Sequence, residues 1–352
     1  MLILSLNQQM MIIRSKAPLR IGLAGGGTDV SPYSDLYGGN ILNITLNQYA
    51  YATIIPRKNG KILLSSQDRN ESVLFESTNE LIIDGNLNLL KGVYNRIVKQ
   101  FTLGKLSFEL HTYVDAPAGS GLGTSSTLVV AIVGAFCEWL KLPLGEYDIA
   151  HLAFEIERID LKMSGGKQDQ YSATFGGLNF MEFYKDDKVI VNPLRVKQSY
   201  LNELQFSSLL YYTGVSRISA QIIDSQVSNV NKKELKSTEA MHSLKKQALM
   251  MKEAVLKGQL SQVGELLHYG WQEKKKMAKE ISNSEIDDLY ESVLKAGATG
   301  GKISGAGGGG FMYIYCPEVA RYAVTKVLKK FNGEIKPFQF VEEGLTTWTI
   351  DE

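Results

Sequence analysis

Residues 116–127 read Ala-Pro-Ala-Gly-Ser-Gly-Leu-Gly-Thr-Ser-Ser-Thr and run directly into the apolar stretch Leu128–Phe136. Alternating glycines let a backbone approach an anion closely, and the hydroxyl residues that follow stand where a helix begins. The unpaired N–H groups of that first turn, and the positive end of its dipole, then face a ligand. Pro117, Gly119, Ser120, Gly121, Leu122 and Gly123 form the loop, and Thr124, Ser125 and Ser126 are expected to cap the helix. A tight turn feeding a core helix would use similar residues. Two further glycine clusters, near Gly25 and near Gly308, flank the loop at opposite ends of the chain and favour a phosphate cradle.

At 352 residues the chain can hold two domains and a substantial core. Its 38 basic and 37 acidic side chains leave a formal net charge of +1, which gives no electrostatic footprint for nucleic acid or an anionic membrane. A small anionic ligand needs only a local cationic pocket. The two cysteines, Cys137 and Cys316, sit in apolar stretches and read as small buried hydrophobes of a reducing compartment. The histidines (His111, His151, His242 and His268) have no metal-ligand spacing, so no zinc site is expected. Without a basic n-region or a membrane-length apolar run, the chain reads as cytoplasmic and soluble, with no nucleic-acid or membrane partner. Oligomeric state is left open, a homodimer included.

The pattern along the chain is α+β. Residues 12–23 suggest strands interrupted by Pro18, residues 41–56 a strand, and 58–70 a polar hairpin. Residues 86–101, 124–141 and 146–160 have helical spacing, the second apolar nearly all round and therefore central. A polar turn at 163–170 is expected to lead into strands at 172–183 and 188–191. A break near 192–202 divides the chain into domains 1–195 and 196–352. The second half reads as a strand at 207–212, helices over 219–227, 237–257, 260–281 and 284–296, a strand at 311–315 and an amphipathic segment at 318–330.

Common glycine-loop chemistries fail one by one. No G-x-x-x-x-G-K-[ST] string occurs. Gly305–Gly310 matches G-x-G-x-x-G but precedes a strand instead of joining a strand to a helix. The H-R-D and D-F-G strings of protein kinases are missing. The chain instead resembles the GHMP kinases at three places in the right order. These are Ala17-Pro18-Leu19-Arg20-Ile21-Gly22-Leu23-Ala24-Gly25-Gly26-Gly27-Thr28-Asp29, Pro117–Ser126 and Lys302–Gly310, with Lys167-Gln168-Asp169-Gln170 between the last two. The Gly25–Asp29 string, Tyr212-Thr213-Gly214-Val215-Ser216-Arg217 and Gly300-Gly301-Lys302 look like the D-glycero-D-manno-heptose 7-phosphate kinase branch, with fucokinases as nearest competitors.

The resemblance implies an N-terminal domain similar to ribosomal protein S5 domain 2, a ferredoxin-like C-terminal domain, and ATP and Mg²⁺ between them. It implies phosphoryl transfer to a sugar or sugar phosphate, with the anomeric hydroxyl of heptose 7-phosphate favoured. L-Fucose is the alternative acceptor, and a sugar or ATP sensor without turnover is the alternative class. Residues 117 and 119–126 would hold the nucleotide phosphates, and Ser125 and Glu157 would hold Mg²⁺. Asp169 would accept or orient the acceptor proton, with Arg20 opposite. Gly26, Gly27, Thr28 and Asp29 would meet the sugar, with Gly307 and Gly308 closing over the site. Lys16, Lys167 and Arg217 are the candidate cations for a sugar phosphate. Adenine contacts are expected between 57 and 100.

Overall fold

The strand Met11–Ala24 is buried along nearly its whole length because sheet neighbours flank it and a helix covers it. The computed structural model describes residues 11–102, 104–214, 219–232 and 234–351. Pro18 does not divide this strand as the sequence suggested. Proline lacks an N–H, so the ladder to Gly39–Pro56 instead shifts register between Pro18 and Arg20. That irregularity frees the Arg20 amide, which donates to the Leu122 carbonyl at 3.1 Å. A bulge in the first motif thereby ties it to the glycine loop.

The first sheet runs Thr346–Asp351, Met11–Ala24, Gly39–Pro56, Phe108–Val114, Lys61–Ser66 and Glu71–Glu76, and Leu178–Phe183 and Val189–Pro193 extend from the start of Gly39–Pro56. Among the described residues only the Lys61–Ser66 and Phe108–Val114 pair is parallel. The helix Thr124–Leu140 packs on Met11–Ala24 and Gly39–Pro56, buried from Ser126 to Phe136, as its all-round apolar sequence requires. A second, four-stranded antiparallel sheet orders Glu334–Lys336, Ser208–Tyr212, Phe311–Tyr315 and Gly300–Ile303. The helices Leu235–Lys257, Leu260–Lys275 and Ser284–Lys295 build the rest of this half.

Three sequence expectations change. Residues 172–183 are not one strand: Gln168–Phe175 is a helix, and the strand begins at Leu178. The helix expected over 146–160 is α-helical to Glu155 and then widens to a π turn at Ile156–Asp160. The boundary at 195/196 does not hold at the end of the chain, because Thr346–Asp351 returns to pair with Met11–Lys16 in the first sheet. One apolar cluster joins the halves, running from Ile21 and Leu42 to Met251, Leu267 and Tyr313. Among the described residues no helix is long and apolar enough to cross a membrane.

Candidate active site

Gly119, Gly121 and Gly123 all take positive φ, so the loop coils with its peptide groups turned in alternating directions. Gly123 itself is the residue before the helix Thr124–Leu140, and no side chain caps that helix. The expectation that Thr124, Ser125 or Ser126 would do so is therefore corrected, and the first amides of the helix stay available to an anion. The loop is clamped from the far end of the chain. Phe311 donates its amide to the Ser120 carbonyl at 2.9 Å. A Cβ on Gly121 would lie 2.3 Å from the Ser304 carbonyl oxygen, and one on Gly305 would lie 2.7 Å from the Gly121 Cα. Gly121→Ala must therefore push the second and third motifs apart; we expect it to destabilise the fold by about 1–3 kcal/mol, read by thermal melting, and to weaken ATP binding.

Arg20 is the hub. Its guanidinium is 3% exposed and meets Asp169 through Nε at 2.8 Å and through Nη2 at 2.6 Å. Its Nη1 donates to the Gly121 carbonyl at 2.6 Å and to Ser304 Oγ at 3.3 Å. One side chain thus links all three glycine motifs to the carboxylate. Asp169 lies in the first turn of Gln168–Phe175, and Asp29 accepts the amides of Lys167 (2.9 Å) and Gln168 (3.1 Å) at the start of that helix. Burial raises the Asp29 carboxyl above its ordinary value, and the negative charge of Asp169 adds to the rise while the Gln168 amide opposes it. Its second oxygen, Oδ1, is buried without a hydrogen-bond partner among the described residues.

Glu157 lies in the π turn, a local widening often found at functional positions. It is buried, and Gln170 Nε2 donates to both its Oε2 and Ser126 Oγ. Among the described residues Glu157 Oε1 has no hydrogen-bond partner, and Arg158 Nη1 stands 3.7 Å from it. Arg20, Asp29, Glu157 and Asp169 open onto one cleft of about 600 Å³. Its wall combines Arg20, Gly27 and Asp29 with Gly119, Gly121, Gly123 and Thr124–Ser126, then Glu157, Asp169, Gly305 and Ala306. A roof comes from residues 162–166 and from Ala220, Ile223 and Gln226 of the helix Ser219–Asn231, latched where Ser164 donates to Asp224.

The family signature for the GHMP kinases N terminal domain matches residues 88–177, and that for the GHMP kinases C terminal region matches 251–333. The chain is 48% identical to a D-glycero-alpha-D-manno-heptose 7-phosphate kinase of Campylobacter jejuni, over 97% of this chain and 100% of that one. It is a GHMP kinase. A crystal structure of a D-glycero-D-manno-heptose 1-phosphate kinase from Bacteroides thetaiotaomicron superposes with a TM-score of 0.82 at 46% identity, covering 96% of this chain and 99% of the other. An L-fucokinase/L-fucose-1-P guanylyltransferase of Bacteroides fragilis is 25% identical over 95% of this chain, which spans 38% of that longer protein.

Within this GHMP kinase the cleft gathers some of the sequence-derived candidates and leaves others out. Pro117, Ser120 and Leu122 shape the loop from behind, outside the cleft wall. Thr28 spends its hydroxyl on the Gly25 and Asn40 carbonyls, and Gly26 lies beneath the surface. Gly307 and Gly308 pack on Ile281, whose carbonyl accepts the Gly308 amide. Lys167 turns away to Asp187 (2.7 Å) and Asp35 (3.6 Å), and Lys16 stands over the Tyr49 ring, so neither is a cation of the cleft. Arg217 falls outside the described residues. No residue from 57–100 lines the cleft. The cations that do line it with Arg20 are Arg158, Lys162 and Lys274, none of which the motifs singled out. Only the burial period of the helix Leu260–Lys275 carried a signal for the last of them.

Proposed function

We propose that this GHMP kinase transfers the γ-phosphoryl group of ATP to the anomeric hydroxyl of D-glycero-D-manno-heptose 7-phosphate, giving the 1,7-bisphosphate used for surface-polysaccharide precursors. The observation that carries the reading is the Arg20–Asp169 pair, set in one cleft between the open helix start at Thr124 and Asp29. The 48% identity to a heptose 7-phosphate kinase, against 25% to a fucokinase, supports the choice of acceptor.

Loop residues 119–123 and the amides of Thr124–Ser126 hold the nucleotide phosphates. Asp169 orients the acceptor hydroxyl and takes its proton as the new O–P bond forms and the bond between the γ-phosphorus and the bridging oxygen of ADP breaks. Arg20 holds that carboxylate in place, and its fixed fork costs no reorganisation during transfer. Asp29, already holding two amides with one oxygen, offers the buried second oxygen to the sugar.

The Oε1 of Glu157, which accepts no hydrogen bond among the described residues, and the Ser125 hydroxyl suit a hard cation, and Mg²⁺ held by them would neutralise charge on the phosphates. Glu157→Gln should raise the Mg²⁺ concentration needed for half-maximal rate by about tenfold or more, read from titrations at saturating ATP.

The acceptor is tested by ADP release with heptose 7-phosphate and with L-fucose at matched concentrations. Preference for the heptose phosphate is the expected result; turnover of free fucose alone would replace it with the fucokinase reading.

A further inference from the structure

We infer that Lys274 is an anion-binding residue on the acceptor side of the cleft, supplied by the second half of the chain, and that it takes the charge of a phosphorylated acceptor. The inference rests on the proposed heptose phosphate reaction. Along the helix Leu260–Lys275 the buried face runs through Val263, Leu267, Gly270 and Trp271, and Lys274 continues it at 3% exposure. Its neighbours in sequence behave differently: Lys275 reaches Asp287 at 3.2 Å and Lys276 reaches Glu273. Lys274 has one hydrogen bond among the described residues, to the Gly305 carbonyl. An ammonium has three donors, so two remain for a ligand in the cleft it lines.

The surroundings call for an anion. Lys274 and Lys302 both stand against Gly26, at 3.5 and 3.7 Å from the position a Cβ would take there. Lys302 is buried and donates to the Gly22 carbonyl at 2.8 Å. The charged groups facing Lys274 are Arg20, Lys302, Asp29 and Asp169. Burial, and then the charges of Lys274 and Arg20, push the Lys302 ammonium well below its ordinary value, and the two carboxylates are already engaged, Asp169 by Arg20 and Asp29 by backbone amides. Two donors of the buried Lys274 ammonium are left without a protein partner among the described residues. Lys274 stands against Gly26 of the first glycine motif, the acceptor side in the proposed reaction, and bonds Gly305, which packs on Gly121 of the phosphate loop; the Gly26 contact assigns it to the acceptor.

Burial, and then the charge of Arg20, lower the Lys274 ammonium to about 8, while Asp29 and Asp169 oppose the fall. The sign follows directly. Below that value the ammonium is charged and binds the anion; above it the charge is lost, so the Michaelis constant for a phosphorylated acceptor climbs with pH. A bound anion restores the charge, so binding above pH 8 takes up a proton.

The test uses the full-length enzyme with heptose 7-phosphate. Lys274→Met should raise KM for this acceptor by about tenfold or more and leave KM for ATP nearly unchanged. Its alkaline rise in acceptor KM should vanish. Lys274→Arg should recover most of the affinity and flatten the alkaline limb, because a guanidinium stays charged. An unchanged acceptor KM, or a rise confined to ATP, overturns the assignment. Should Lys274→Met fail to fold, calorimetry of the unaltered enzyme at pH 8.5 in two buffers of different ionisation enthalpy decides: proton uptake on acceptor binding is expected, and none overturns it. No wild-type turnover of the heptose phosphate would overturn both proposals, whereas turnover with an indifferent Lys274→Met overturns only this one.

Discussion

Asp169→Asn should lower kcat by about 10²–10⁴-fold while leaving KM for ATP within a few-fold. The amide oxygen can still accept from Arg20, so the local fold survives, but the side chain can no longer take a proton. In the proposed reaction the nucleotide cradle is the loop 119–123 with the helix start, which Asp169 borders without supplying. A loss confined to kcat is therefore what a proton-handling carboxylate implies. Asp169→Glu keeps the charge and displaces it by one methylene, so it should fall between the two. Steady-state ADP release, paired with a thermal melt of each variant, reads the effect. Equal loss of stability and rate in the Asn variant would mean that the ion pair matters only for folding.

The second large effect is expected at Arg20. Arg20→Lys retains the charge but cannot reach Asp169 through two nitrogens while also meeting the Gly121 carbonyl and Ser304. Loss of that preorganised fork should lower kcat by about 10²–10³-fold. Arg20→Met goes further, since it strands Asp169 beside a hydrophobe and unlinks the three motifs. Removing the nearly buried partner of an ion pair should cost about 3 kcal/mol of stability. Chemical denaturation and kinetics on the same preparations separate the two contributions: Lys should lose mostly rate, and Met should lose both.

Local patterns made much of the fold legible. The apolar run after Thr124 could only be a central helix, and it is buried through twelve positions of its seventeen. The Ile, Thr and Tyr content of residues 41–56 marked the strand found at Gly39–Pro56. The failures share a cause, which is distance in sequence. Residues 172–175 of the helix Gln168–Phe175 read as the start of a strand because Ser-Ala-Thr-Phe is short and the turn at 163–170 before it carries no cap signal. Its cap is Asp29, more than a hundred residues earlier, accepting the Lys167 and Gln168 amides. The same remoteness explains the cations. Lys16 and Lys167 lie next to motifs in sequence, yet one covers Tyr49 and the other is held by Asp187 and Asp35. Lys274 sits in a Glu-Lys-Lys-Lys run that resembles a solvated surface. Only the period of Val263, Leu267, Gly270 and Trp271 marks it as facing inward.

The central claim concerns where the phosphoryl group goes and which carboxylate sends it there. Phosphorus NMR of heptose 7-phosphate with ATP and Mg²⁺, run in parallel with the unaltered enzyme and with Asp169→Asn, addresses both at once. A new anomeric phosphate signal beside the retained 7-phosphate, formed only by the unaltered enzyme, is the expected outcome. Hydrolysis of ATP without a sugar bisphosphate, or equal product from the Asn variant, would contradict it.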